Sequence, residues 1–172
     1  MKTLAEKSFR VALYDDGAVD LLNSFRSASL FEDVAESDLH AIASRAQVVR
    51  CFSGQTLVEE GEPGADIYLL LQGRVRIQVE SISPFVEIGI TKLEAGEVIG
   101  EMSLVENHPR SATVLAIEPS VFARIPSSHL RDLAVQKPEV GFILMRNVAR
   151  ILSDRLKAMN RRMMNVIRQK HF

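Results

Sequence analysis

Seventeen positions, Gly96 to Ala112, collect the side chains best suited to hold a small anion: Gly96-Glu97-Val98-Ile99-Gly100-Glu101-Met102-Ser103-Leu104, then Pro109-Arg110-Ser111-Ala112. Gly100 lets the backbone pass close to a bulky ligand, because it carries no Cβ. Residues 101 to 105 suit a helical turn, whose first N–H groups point beyond its start and favour negative charge. Arg110 offers a planar cation that grips phosphate oxygens with two parallel hydrogen bonds. Glu101 would repel a phosphate but accepts from a sugar hydroxyl. The two charged groups must therefore address opposite ends of one ligand. The bland alternative is a sandwich turn carrying a surface ion pair between Glu101 and Arg110.

The segments around this stretch have to position it. The first 45 residues read as helical: Leu21, Leu22, Phe25 and Leu30, then Val34, Leu39, Ile42 and Ala43, keep to one apolar face, with Ser37 as a helix cap. From about Ala46 to Pro126 the pattern becomes short, β-branched and punctuated by glycine. Strands are expected at 47–51, 56–59, 66–71, 74–80, 86–93, 112–117 and 121–125. The run Arg74-Val75-Arg76-Ile77-Gln78-Val79 alternates polar and apolar, which marks a strand with one wet face. Many short strands separated by turn glycines predict an antiparallel sandwich or jelly roll. After Pro126, Ser127 or Ser128 caps a short helix to about Gln136, and Pro138 opens a second that continues toward the C-terminus.

With its order and spacing, Gly-Glu-x-Ser-Leu followed by Pro-Arg-Ser-Ala resembles the phosphate-binding cassette of cyclic nucleotide-binding domains. That family includes bacterial catabolite activators, protein kinase A regulatory subunits and cyclic-nucleotide-gated channels. Gly61-Glu62-Pro63-Gly64-Ala65-Asp66-Ile67-Tyr68 and Gly73-Arg74-Val75 are similar to the family's early β-roll, so the resemblance spans about Leu30 to Met163. It implies a mainly β fold with flanking helices: an antiparallel β-roll (double-stranded β-helix or jelly roll) with N-terminal helices and two C-terminal helices. The expected divisions are an N-terminal helical extension over 1–28, the nucleotide-binding roll over 29–137, and a long C-terminal helix over 138–172 serving as lid and dimer contact.

The resemblance also assigns roles. Glu101 takes the ribose 2′-hydroxyl and Arg110 the cyclic phosphate. Ser111 adds a hydroxyl, the N–H groups of Met102 and Ser103 lie near the phosphate, Gly100 allows close approach, and Ala112 closes the motif. Ser111 after the arginine favours cyclic AMP over cyclic GMP. Arg155, Met159 and Asn160 fall near the level of the last helix from which the family reads the base. A catalytic group, metal or cofactor is not implied; the ligand is the nucleotide itself, cyclic di-GMP being the third candidate.

On the last helix Met145, Ala149, Leu152, Leu156, Met159, Met163 and Val166 step by fours and threes, a heptad seam that predicts a parallel homodimer. The family's transcription factors carry a helix-turn-helix after this helix, and the chain to Phe172 leaves no room for one, so DNA binding is not expected. A net charge of −1 agrees, although Arg155, Lys157, Arg161, Arg162, Arg168 and Lys170 face no acid over that stretch; a solvated face is the expected reading of them. The downstream protein partner is left open.

Other classes find little support. His40, His108, His129 and His171 lack metal-ligand spacing, and no nucleophile elbow or Walker loop appears. The adjacent acids Asp15-Asp16 and Glu59-Glu60 diverge in helix and strand alike. One cysteine, Cys51, excludes an internal disulfide, and no apolar run approaches the roughly 20 residues that span a bilayer, so a cytoplasmic protein is expected. The remaining rival is a ligand-free dimeric interaction module on the same fold.

Overall fold

A computed structural model describes residues 12–13, 21–79, 91–106 and 108–169. The strands are β1 (Ala12–Leu13), β2 (Gln47–Cys51), β3 (Thr56–Val58), β4 (Asp66–Gln72), β5 (Arg74–Gln78), β6 (Thr91–Glu94), β7 (Val98–Ile99), β8 (Thr113–Ala116) and β9 (Ser120–Pro126). The helices are α1 (Leu21–Ser27), α2 (Glu36–Ala43), α3 (Ser127–Gln136) and α4 (Pro138–Gln169), with 3-10 turns at Ser29–Phe31 and Glu101–Leu104. Every strand pairing is antiparallel; one sheet runs β1-β2-β9-β4-β7 and the other β3-β8-β5-β6. This is the expected antiparallel β-roll with flanking helices.

The first sheet is covered on both faces, which explains why β4 (Asp-Ile-Tyr-Leu-Leu-Leu-Gln) reads as a nearly unbroken apolar run. Its Ile67 and Leu69, with Ala123 and Ile125 of β9, pack under Phe25, Leu30, Phe31, Leu130, Val140, Leu144 and Val148 of the helical layer. The alternate residues Tyr68 and Leu70, with Phe122, turn to the inter-sheet core beside Leu57, Val75, Leu93 and Val114. Strict alternation on β5 buries Val75 and leaves Arg74 exposed, as a one-sided strand requires.

Four expectations change. Ala12–Leu13 forms an edge strand on β2 rather than helix. Ser37 is not a cap: α2 starts at Glu36, with the extended Ala35 before it and no side-chain capping bond. Likewise α3 begins at Ser127 after Pro126, and Ser127 makes no cap bond. The two-residue β7 was not anticipated. In the expected 86–93 strand only Thr91–Glu94 is described, since 80–90, like Asp15-Asp16 and His171, lie outside the described residues.

The long helix is held in place by specific bonds. Buried Asn147 donates to the Leu30 and Glu32 carbonyls at 2.9 and 2.8 Å, Arg146 pairs with Asp33 and Arg150 with Glu32. α4 thus grips the loop between the 3-10 turn and α2.

Candidate functional site

β7 brings the cassette beside β4, where Tyr68 pairs with Ile99 and Leu69 with Val98. Gly100 then turns the chain with φ +81°, a left-handed conformation that side chains resist. A Cβ there would also lie 2.5 Å from Arg110 Nη1 and 2.8 Å from the Asp66 carbonyl, so Gly100 is required for room as well as for its dihedral. The 3-10 turn Glu101–Leu104 follows as expected, and the Ser103 N–H is used within it, bonded to the Gly100 carbonyl at 3.1 Å. On its return the cassette is pinned to the β3–β4 loop. The Gly61 N–H donates to the Arg110 carbonyl at 2.8 Å and the Arg110 N–H to the Glu62 carbonyl at 2.9 Å.

The surface ion pair between Glu101 and Arg110 does not form; each is tied elsewhere. Glu101 is 1% exposed, and its Oε1 accepts from Arg155 Nη1 of α4 at 2.5 Å. Arg155 also donates from Nη2 to the Val98 carbonyl. Arg110 donates from Nη2 to the Asp66 carbonyl at 2.8 Å and lies over the Tyr68 ring, 5.7 Å from its centroid. Within the cassette two buried polar atoms lack a partner: Glu101 Oε2, an acceptor, and Arg110 Nη1, a donor. Burial, with the Asp66 carboxylate adding, raises the Tyr68 phenol pKa, so the ring beneath the guanidinium is neutral.

The remaining expected residues sit as follows. Ser111 is exposed, its hydroxyl 3.8 Å from the Met102 sulfur, and Met102 is itself 38% exposed at the surface of the turn. Ser103 is buried, and its carbonyl accepts from Arg131 of α3 at 2.8 Å. Ala112 is half-buried just before β8, and Thr113 is an ordinary strand residue whose hydroxyl accepts from the Glu60 N–H. Arg155 points into the cassette, in contact with the Glu101 carboxylate. Met159 and Asn160, farther along α4, are exposed.

Sequence reasoning missed the second wall. Gly64, Asp66 and Tyr68 enclose Arg110, although they lie some 40 positions earlier; their only sequence signal was the run Gly61 to Tyr68 itself. Arg131 and Arg155 tie the two C-terminal helices to the cassette. Among the described residues no three His, Cys, Asp or Glu side chains cluster as a metal site, and no helix is long and apolar enough to cross a membrane.

Comparison with known proteins agrees with this geometry. The family model described as "Cyclic nucleotide-binding domain" matches residues 48–137. A crystal structure of a cyclic nucleotide-binding domain from Methylobacillus flagellatus superposes with a TM-score of 0.71 at 27% identity, covering 84% of this chain and 81% of that one. A CRP-like cAMP-activated global transcriptional regulator of Mycobacterium tuberculosis is 26% identical over 140 residues, 81% of this chain and 60% of the regulator. A cGMP-dependent protein kinase of Eimeria tenella is 35% identical over 100 residues, 58% of this chain and 9% of the kinase. The chain therefore spans less than two thirds of the length of each of these two relatives.

Proposed function

The chain belongs to the cyclic nucleotide-binding domain family, and we propose that it is a non-catalytic cytoplasmic sensor of a cyclic nucleotide, cyclic AMP before cyclic GMP. One observation carries the reading: a buried acceptor without a donor and a buried donor without an acceptor share one cassette. A ribose 2′-hydroxyl donating to Glu101 Oε2 and a cyclic phosphate accepting from Arg110 Nη1 would answer both. A ligand-free scaffold would leave both buried groups unsatisfied, at about 1–3 kcal/mol each. Cyclic AMP is favoured by Ser111 and by the cAMP-activated mycobacterial relative. Cyclic GMP is the second reading, favoured by the kinase relative. No cofactor or metal enters the scheme.

The transmission of the signal follows from who holds the cassette. Arg155 keeps Glu101 Oε1, leaving Oε2 for the hydroxyl, so one carboxylate joins ligand and α4. Arg131 ties α3 to the same turn, and Asn147, Arg146 and Arg150 join α4 to the N-terminal helical layer. Ligand that draws the cassette in would shift α3 and α4 over the base, with Met159 and Asn160 then within its reach. The shift is limited by the ligand's preference for one arrangement.

α4 also serves as the homodimer contact in this scheme. The apolar seam begins earlier than the sequence pattern suggested: Phe142 is 70% exposed, and Met145, Leu156, Met159 and Met163 are exposed after it. Val140, Leu144 and Val148 pack on the roll instead, and Leu152, expected in the seam, is half-buried against the same core. From Phe142 to Met163 the seam is about 32 Å long at 1.5 Å per residue.

Calorimetry with cyclic AMP, cyclic GMP and cyclic di-GMP tests the reading. A charge-assisted bond of about 1.5–3 kcal/mol makes Arg110→Ala at least about tenfold weaker, beyond micromolar range. Unchanged affinity in that variant, or no heat from any of the three nucleotides with the wild type, would refute it.

A further inference from the structure

Arg110 does not hang free in its loop; it lies in a slot built by residues far from the cassette. An ideal Cβ on Gly64 would meet Arg110 Nε at 2.8 Å, Nη2 at 3.0 Å and Cζ at 3.2 Å, and these three are its nearest atoms. The φ of Gly64 is not in the left-handed region, unlike that of Gly54, Gly61, Gly73, Gly96 and Gly100. Its backbone would accept any residue, so what glycine supplies there is space for the guanidinium. Opposite, the Tyr68 ring lies within the roughly 6 Å reach of a cation–π contact. The ring is itself fixed edge-on to Phe122, 6.5 Å between centroids and 85° between planes. The Asp66 carbonyl takes Nη2, while the Asp66 carboxylate is turned to Arg124 at 2.6 Å. Nη2 is thus bonded, Cζ lies over Tyr68, and Nη1 is buried without a partner.

The geometry points to Gly64 and Tyr68 as positioning residues that set where the Arg110 guanidinium sits, and thereby how tightly an anionic cyclic phosphate is held. This inference rests on the phosphate-binding role proposed for Arg110. A long flexible cation loses rotamer freedom on binding unless it is already placed. The slot places it before ligand arrives. The neutral aromatic face suits this duty because it attracts the cation without offering an acceptor that would compete with phosphate. Gly64 therefore matters to the site without mattering to the fold, a separation that few core residues permit.

Gly64→Ala, Tyr68→Phe and Tyr68→Leu are compared with wild type by cyclic AMP calorimetry and thermal unfolding, and Gly64→Ala is repeated in an Arg110→Lys background. Displacing the far end of a flexible side chain leaves the fold intact, so Gly64→Ala should unfold within about 2 °C of wild type yet bind at least about tenfold more weakly. Tyr68→Phe should bind like wild type and Tyr68→Leu several-fold more weakly. With lysine at 110 the Gly64→Ala penalty should shrink to less than half in logarithmic terms, since residues acting through one group are not additive. Wild-type affinity in Gly64→Ala, or an equal penalty in both backgrounds, would overturn the inference while leaving the sensor reading standing. Absence of nucleotide binding by the wild type would overturn both.

Discussion

Arg155→Met tests the link between cassette and C-terminal helix. It replaces the guanidinium with an apolar chain and leaves Glu101 Oε1 without its partner, on a carboxylate whose side chain is 2% exposed. Breaking a fully buried ion pair by deleting one member costs about 3–5 kcal/mol. Here the Arg155 side chain is 35% exposed, so water already shares its charge, and about 2–3 kcal/mol is the better estimate. For a chain of this size each kcal/mol lowers Tm by about 2–4 °C, which puts the fall at about 4–12 °C. The double variant Arg155→Met/Glu101→Gln should recover part of the loss, because it removes the stranded charge along with its partner. Calorimetric unfolding of the four proteins gives the cycle directly. Nucleotide affinity of Arg155→Met should also fall several-fold, since the carboxylate loses the bond that aims Oε2. A Tm within about 1 °C of wild type together with unaltered affinity would show that the contact couples nothing.

Leu156→Glu, at a residue more than half exposed on the α4 seam, should convert a dimer to monomer in sedimentation without lowering nucleotide affinity more than a few-fold; a wild-type monomer with and without nucleotide would exclude the seam. Burial pushes the Cys51 thiol up to about 11 from its ordinary 9.0, so at pH 8 about a thousandth is thiolate in the folded chain against about a tenth unfolded, and alkylation should be about a hundredfold slower than in urea. Because the folded pKa is the higher, the stability this group contributes is complete below about pH 9 and is lost as pH rises through about 11.

What was legible in the chain was what is local. The cassette shows in sequence because its glycine, carboxylate and arginine act within one loop, and β5 shows because burial on one face writes a period of two. β7 did not show: two residues carry no periodicity, and only the tertiary pairing with β4 makes them a strand. The helix starts were misplaced for a related reason. Ser127 follows directly on β9, whose Pro126 is held opposite Asp66, so the strand's register rather than a serine hydroxyl fixes where α3 begins. Arg155 was placed at the right level of α4, but its bond to Glu101 was not legible, because at 100° per residue a helix's phase is set by what it packs on. Val140, Leu144 and Val148 set that phase, and it turns Arg155 onto Glu101.

The choice between a sensor and an empty scaffold comes down to how the fold treats two opposite charges nine residues apart. Had the cassette only to be stable, pairing Glu101 with Arg110 would be the cheapest solution, since mutual attraction would offset the desolvation of both. The chain instead brings a separate partner to each. Arg155 arrives from α4 for the carboxylate, and the Asp66 carbonyl and Tyr68 ring come from β4 for the guanidinium. Each partner satisfies one side of its group and leaves the other, Oε2 and Nη1, buried and unanswered. Keeping such charges apart and half-satisfied costs stability that packing elsewhere must offset. It is the arrangement expected where a hydroxyl and an anion of one ligand complete both sets of bonds, and where the partner of the carboxylate is the helix that must feel it.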